Sequence, residues 1–321
     1  MYIVTGAAGL IGSGIVWGLN QRGIDEIICV DNLGESDKWK NLRALRFAEY
    51  EEKEDFREMI QDGTFDNKKI DAIIHMGACS STTERDASYL IDNNYKYTQE
   101  LAAFAVSHDI RFIYASSCAT YGDGSQGYLD DESKIEQLRP MNMYGYSKQM
   151  FDLWAKHTGL LSKITGLKFS NVYGSNEMHK AEMRSVVCRA YEQISATGKM
   201  ALFKSYNPEY ADGEQMRDFI YVKDVAKANL CALVADIPES YEVYNVCTGV
   251  TTTIINIARI ISEILNVNTD LHYVDSIFPV SFRLGSPYKA KEDLDFDAKV
   301  DINVGLEKLI IWIKDIKGDF K

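Results

Sequence analysis

Short apolar runs alternate with longer amphipathic stretches along the first 170 or so residues of the chain. The runs Tyr2–Thr5, Glu26–Val30, Asp71–His75, Arg111–Ala115 and Ile164–Lys168 have the length and turn-forming borders of buried strands. Between them, Ser13–Gln21, Lys53–Gln61, Asp86–Val106 and Tyr144–His157 carry helical spacing. Strands joined through helices make a parallel, doubly wound sheet, and its sites lie at the strand carboxyl ends. After about Val172 the elements shorten, although Val225–Ala235 and Val243–Val246 read as one more helix and strand of the same sheet. The predicted class is α/β. Its sheet domain takes residues 1–172 plus about 223–249, and a smaller α+β lobe takes about 173–222 plus 250–321. Tyr206–Gln215 is polar, contains Pro208 and Gly213, and reads as an exposed loop.

Composition narrows the partners. With 321 residues, 46% of them hydrophobic, the chain can bury a full core, while a net charge of -12 argues against nucleic acid or an anionic membrane surface. An anionic ligand then needs a local cluster of positive groups. Cys29, Cys79, Cys118, Cys188, Cys231 and Cys247 are scattered without metal-ligand pairing, so buried thiols in a reducing cytoplasm are expected and no metal. The chain opens directly on an apolar strand and carries no long apolar run, so neither a signal peptide nor a membrane span is expected.

The first candidate chemistry is Thr5-Gly6-Ala7-Ala8-Gly9-Leu10-Ile11-Gly12, a G-x-x-G-x-x-G turn between a strand and a helix. Gly6, Gly9 and Gly12 let the backbone approach a pyrophosphate held on the positive end of that helix. Asp31 falls about twenty residues on, at the tip of the next strand, where a carboxylate binds ribose hydroxyls. Dinucleotide binding follows. Asp31 favours a cofactor without a 2′-phosphate, but Lys38 and Lys53 offer compensating charge, so NAD and NADP both stay open.

The second is Tyr144-Gly145-Tyr146-Ser147-Lys148, which sets a phenol and an ammonium one helical turn apart. A nearby cation favours the phenolate, and this makes Tyr144 an acid/base group usable at neutral pH. Small polar residues follow several strands: Gly77-Ala78-Cys79-Ser80, Ser116-Ser117 and Ser170-Asn171. Beside the glycine turn they suggest one cleft, although they also suit ordinary turns.

The glycine turn, Ser117 before Ala119-Thr120-Tyr121-Gly122, and Tyr144-x-x-x-Lys148 together resemble the extended short-chain dehydrogenase/reductase family, the NAD-dependent epimerase/dehydratases. Arg217-Asp218-Phe219-Ile220-Tyr221-Val222 resembles its second-domain signature. The resemblance implies a Rossmann-type domain for NAD(P), NADP first and NAD as the other possibility, and a small lobe for a nucleotide-sugar. Gly77-Ala78-Cys79-Ser80-Ser81-Thr82-Thr83-Glu84, Asp92-Asn93-Asn94-Tyr95 and Asn171-Val172-Tyr173-Gly174 running on to His179-Lys180 are similar to the branch acting on an ADP-heptose.

By that resemblance Tyr144 and Lys180 are the two acid/base groups, Ser117 bonds the reacting oxygen, and Lys148 binds the nicotinamide ribose. Further cofactor contacts are Leu10, Ile11, Asp31, Asn32, Lys38, Lys53, Met76, Gly77, Ala78, Cys79, Ser80, Asn93, Val172 and Lys180. Substrate contacts are Asn171, Glu182, Arg189, Phe203, Lys204, Ser205, Tyr206, Arg217 and Tyr288. A homo-oligomer is implied too. The chain departs from the pattern at Ser175-Asn176, usually Pro-Arg, and at Ala181-Glu182, usually Gly-Ser. Ala7 stands for a usual glycine, and the Tyr206–Arg217 interval is long.

The expected reaction is redox-neutral inversion at C6 of the heptose through a transient 6-ketone. Two alternatives are weighed against it. A UDP-hexose 4-epimerase needs only the tyrosine, and a non-catalytic dinucleotide sensor needs none of Ser117, Tyr144 and Lys148.

Overall fold

The structure is a computed structural model that describes residues 1–236, 243–275 and 282–318. In chain order the strands are β1 (Tyr2–Thr5), β2 (Ile27–Asp31), β3 (Glu49–Glu52), β4 (Ala72–His75), β5 (Arg111–Ser117) and β6 (Thr165–Phe169). Then β7 (Asn171–Tyr173), β8 (Lys199–Phe203) and β9 (Met216–Tyr221) leave this sheet, and β10 (Val243–Val246) returns to it. The main sheet has the order β10-β6-β5-β4-β1-β2-β3 with every pairing parallel. The strand order reverses between β1 and β4, where a doubly wound sheet opens its ligand crevice.

Both faces of this sheet are covered, which is why its inner strands are apolar at successive positions. Val4, Ile74, Ile113 and Leu167 point into one layer with Ile15, Val16 and Leu19 of the Leu10–Gln21 helix. Ile3, Ile73 and Phe112 point into the other, with Phe56, Leu101 and Phe151. β3 was not expected from the sequence. Its Glu-Tyr-Glu-Glu run has no apolar alternation, yet it pairs with β2 as the sheet edge, where charged side chains are tolerated. The stretch expected as one helix over Asp86–Val106 is Ala87–Leu90 and Tyr97–Ser107, joined by a π-helical turn at Ile91–Lys96. That wider turn carries Asn93 and Asn94, both buried; such turns recur at functional sites.

A separate apolar cluster holds the later elements: Tyr173, Val187, Tyr191, Leu202, Phe219, Ile257, Leu306 and Ile310. β7 and β11 (Thr251–Thr253) flank β9, and β12 (Asp270–Val274) pairs with β8. None of the six cysteines is in a disulfide, and Cys29, Cys118, Cys188 and Cys247 are buried. Among the described residues no helix is long and apolar enough to cross a membrane.

Two buried polar devices stiffen the sheet near the crevice. Lys168 of β6 donates to Asp152 at 2.9 Å and to Thr120 at 2.8 Å, while Asp152 also accepts from Tyr114 and Ser116, each at 2.9 Å. Removing either member of the pair leaves a lone buried charge, at a cost of about 3–5 kcal/mol. The second device centres on His75. Gly77 N–H donates to Thr5 Oγ1, which lies 2.7 Å from His75 Nδ1, and His75 Nε2 lies 3.0 Å from Thr98 Oγ1. Thr98 spends its own hydroxyl proton on Asn94 O, so His75 donates from Nε2 and accepts at Nδ1.

Burial, reinforced by the nearby Lys148 ammonium, lowers the His75 pKa to about 3 from 6.5. The unfolded chain therefore binds a proton that the fold excludes. This contribution to stability is complete above pH 6.5 and is lost as the pH falls from 6.5 toward 3. Thermal unfolding followed by circular dichroism should show that decline, with a shallower slope over the same window in His75→Gln.

Candidate active site

The crevice begins at the glycine turn. Gly6 sits at φ +64, and a Cβ on Gly12 would lie 2.0 Å from Gly6 O, so only bare backbone fits. Gly9 caps the Leu10–Gln21 helix without a side-chain bond. The first-turn amides therefore face the cleft uncapped, as an anion-binding helix start requires. Asp31 ends β2 with both oxygens engaged. Oδ2 accepts from Ala8 N at 2.8 Å, and Oδ1 accepts from Asn32 N at 2.7 Å and Lys38 Nζ at 2.6 Å. Lys53 reaches Asn93 Oδ1 at 2.9 Å from the neighbouring helix. Lys38 thus offsets the carboxylate, while Lys53, ion-paired with Glu54 at 2.7 Å, lines the same end of the cleft.

The other end carries the acid/base candidates. Asn142 caps the Met143–His157 helix by accepting from Gly145 N at 2.8 Å. A Cβ on Gly145 would meet Ala119 O at 2.9 Å, so this glycine lets the helix lie close on the Ser117–Tyr121 turn. Tyr144, Lys148 and Ser117 consequently line one cleft. Asn94 fixes their spacing to the β4 loop, since it accepts from Cys79 N at 2.8 Å and donates to Cys79 O and Ser147 Oγ, each at 3.0 Å. Ser147 then donates to Tyr144 O at 2.7 Å. Burial lowers the Lys148 ammonium to about 8, against the opposing pull of Asp152 one turn on.

Lys180 enters from the Met178–Met183 segment. Burial lowers its ammonium too, with Glu177 acting the other way. Both lysines hold their protons less tightly than a solvated lysine does.

The cleft has a volume of about 430 Å³ and brings together every cofactor and acid/base position expected from the sequence. His179, Tyr89 and Tyr97 line it as well and were not foreseen. Among the described residues Tyr97 OH is one of the buried polar atoms without a hydrogen-bond partner. The expected substrate positions are outside this lining. Asn171 opens β7 and donates to Asp218 O at 2.9 Å, next to Arg217 on β9. Phe203 ends β8 and leads into Lys204, Ser205 and Tyr206, with Lys204 paired to Asp275 at 3.0 Å. Glu182 and Arg189 are exposed, 4.0 Å apart, and Tyr288 is exposed. Most of these side chains belong to the elements of the separate apolar cluster, whereas Tyr288 opens the Tyr288–Leu294 helix, whose Ala290 and Leu294 pack into the main-sheet core.

A family model described as NAD dependent epimerase/dehydratase family matches residues 2–247. The chain belongs to that epimerase/dehydratase family. Relatives within it are similar over most of their length. A protein of Nitratidesulfovibrio vulgaris named ADP-L-glycero-D-manno-heptose-6-epimerase is 50% identical over 275 residues, 86% of this chain and 84% of that one. One of the same name from Fusobacterium nucleatum subsp. nucleatum is 48% identical over 253 residues, 78% and 75% of the two chains. Solved family folds superpose closely. The Thermotoga maritima UDP-glucose 4-epimerase has a TM-score of 0.83 at 26% identity, covering 98% of this chain and 99% of that one. The Helicobacter pylori ADP-L-glycero-D-manno-heptose-6-epimerase has a TM-score of 0.82 at 24% identity, with 98% and 96% covered, and supports the fold alone.

Proposed function

We propose that this protein inverts C6 of ADP-D-glycero-β-D-manno-heptose to give the L-glycero epimer, through a transient 6-ketone and a bound NADP. The observation that carries the reading is the meeting of two acid/base groups in one cleft, Tyr144 from a helix and Lys180 from a separate loop. The relatives at 48–50% identity agree with it. Rotation of a whole hexose for 4-epimerisation needs one such group, whereas presenting both faces of a C6 carbonyl calls for a proton carrier at each face.

The residues fit the cofactor. The turn has no space for a side chain at Gly6 or Gly12, and the uncapped helix start would hold the pyrophosphate. Lys38 and Lys53 line the Asp31 end of the cleft and, on exchanging their present partners Asp31 and Glu54 for a 2′-phosphate, would favour NADP over NAD. When bound, the nicotinamide supplies a hydride acceptor that returns the same hydride, so no net oxidation occurs. The protein's part is proton handling and orientation. Ser117 would bond the oxygen on C6, Lys148 would hold the ribose and favour the Tyr144 phenolate, and Tyr144 and Lys180 would each serve one epimer. The lobe of about 173–222 plus 250–321 would hold the nucleotide-sugar, with Asn171, Arg189 and Arg217 as its polar grips.

Incubation with the D-glycero substrate, followed by proton NMR at C6, tests the proposal. The L-glycero epimer should accumulate to equilibrium without consumption of cofactor. No change there, together with conversion of UDP-glucose, would establish 4-epimerisation instead.

A further inference from the structure

Lys180 sits in a segment that has little to hold itself in place. No residue of Met178–Met183 is fully buried, Lys180 among them being half-buried, and Ala181 adopts φ 46, ψ -122. A side chain tolerates that conformation poorly, and it persists only where neighbouring structure over-determines it. The question is what does so here.

We infer that Asn41 and Asn176 form a latch tying the Lys180 loop to the dinucleotide turn, as positioning residues for the second proton carrier. The inference deepens the epimerase reading and rests on it for the role of Lys180. Asn41 Nδ2 donates to Ala8 O at 2.8 Å and to Asn176 O at 3.1 Å, and it lies 3.2 Å from His179 Nδ1. One amide therefore joins the glycine turn to the residue beside Lys180. Asn176 stands at φ +73, a left-handed conformation that asparagine accepts more readily than most residues. Its Nδ2 donates to Ser13 Oγ at 3.0 Å, and Ser13 donates onward to Gly9 O at 2.7 Å. At the base of the loop the buried carboxylate of Glu177 accepts from Ser185 N at 2.6 Å, Ser185 Oγ at 2.9 Å and Gly174 N at 3.2 Å.

The loop is thus closed at its root by Glu177 and pinned at its side by the two asparagines. Asn41 also ends the Asp37–Asn41 helix whose Lys38 grips Asp31. A single five-residue element touches both the ribose-side carboxylate and the catalytic loop. This gives a physical role to Asn176, in one of the places where the sequence leaves its family pattern.

The test compares wild type with Asn41→Ala, Asn176→Gly (which keeps the backbone conformation) and the pair together. Hydrogen exchange on the cofactor-free protein should show faster exchange at amides 177–184 in the variants, with the main sheet unchanged. In the cofactor-loaded protein a small misplacement of Lys180 should lower epimerisation by about 10²-fold in the double variant. Mixing with each C6 epimer separately reads the reduced nicotinamide absorbance that forms transiently. That signal should survive for the epimer served by Tyr144 and fall for the other. A structural role alone would diminish both equally. Unaltered exchange at 177–184, or equal loss with both epimers, overturns the latch. A wild type inert toward both epimers, with variants that still loosen at 177–184, would sink the epimerase reading and leave the latch standing.

Discussion

Tyr144→Phe should lower turnover by about 10²–10⁴-fold, the usual contribution of a positioned acid/base group. The ring stays, and the helix that carries it is fixed by the Asn142 cap and by Asn94 through Ser147, so the fold should survive. Only the phenolic oxygen is lost, from a cleft that Ser117 and Lys148 also line. Steady-state turnover and thermal unfolding measured on one preparation decide the matter. Turnover near wild type would exclude Tyr144 from the chemistry, while a collapsed melting transition would make the loss uninformative about catalysis.

Lys180→Met should lower turnover by a similar order, with a different signature in stability. Burial already disfavours the Lys180 ammonium, so replacing it with an uncharged chain of similar length relieves desolvation. The protein should therefore be at least as stable as wild type while almost inactive. A loss of stability with normal turnover would recast Lys180 as a structural partner of Glu177. Tyr144→Phe and Lys180→Met should also fail on opposite epimers when the transient ketone is monitored, because each removes the proton carrier of one face.

How much of this was legible beforehand depends on where each residue's partners sit. β1 and β4 were evident because inner parallel strands covered on both faces are apolar at successive positions, Tyr2-Ile3-Val4 and Ala72-Ile73-Ile74. β3 was hidden because an edge strand need not be apolar. Much of the cleft lining was readable because the glycine turn and Asp31 are local signals with a mechanical reason for their spacing, and the Gly77–Ser80 loop belongs to the family resemblance. The supporting shell was not. His75 meets Thr5 across 70 positions, and Asn176 meets Ser13 across 163. No local pattern announces such a pair. The Lys168–Asp152 bridge and the Asn94 clamp were hidden for the same reason, since each depends on which strands and helices become neighbours. Ser175-Asn176 and Ala181-Glu182 were visible as departures, but their backbone conformations and the bonds of Asn176 emerged only from the fold.

The central claim is that a phenol beside an ammonium shares one reacting oxygen with a second proton carrier. The most direct test is a crystal structure with oxidised cofactor and an unreactive ADP-heptose analogue, read as distances to the oxygen on C6. The account predicts that oxygen within about 3 Å of the Tyr144 hydroxyl, with Lys180 Nζ approaching the other face of C6. Finding the Tyr144 hydroxyl turned away from the sugar, or Lys180 directed to bulk solvent, would contradict it.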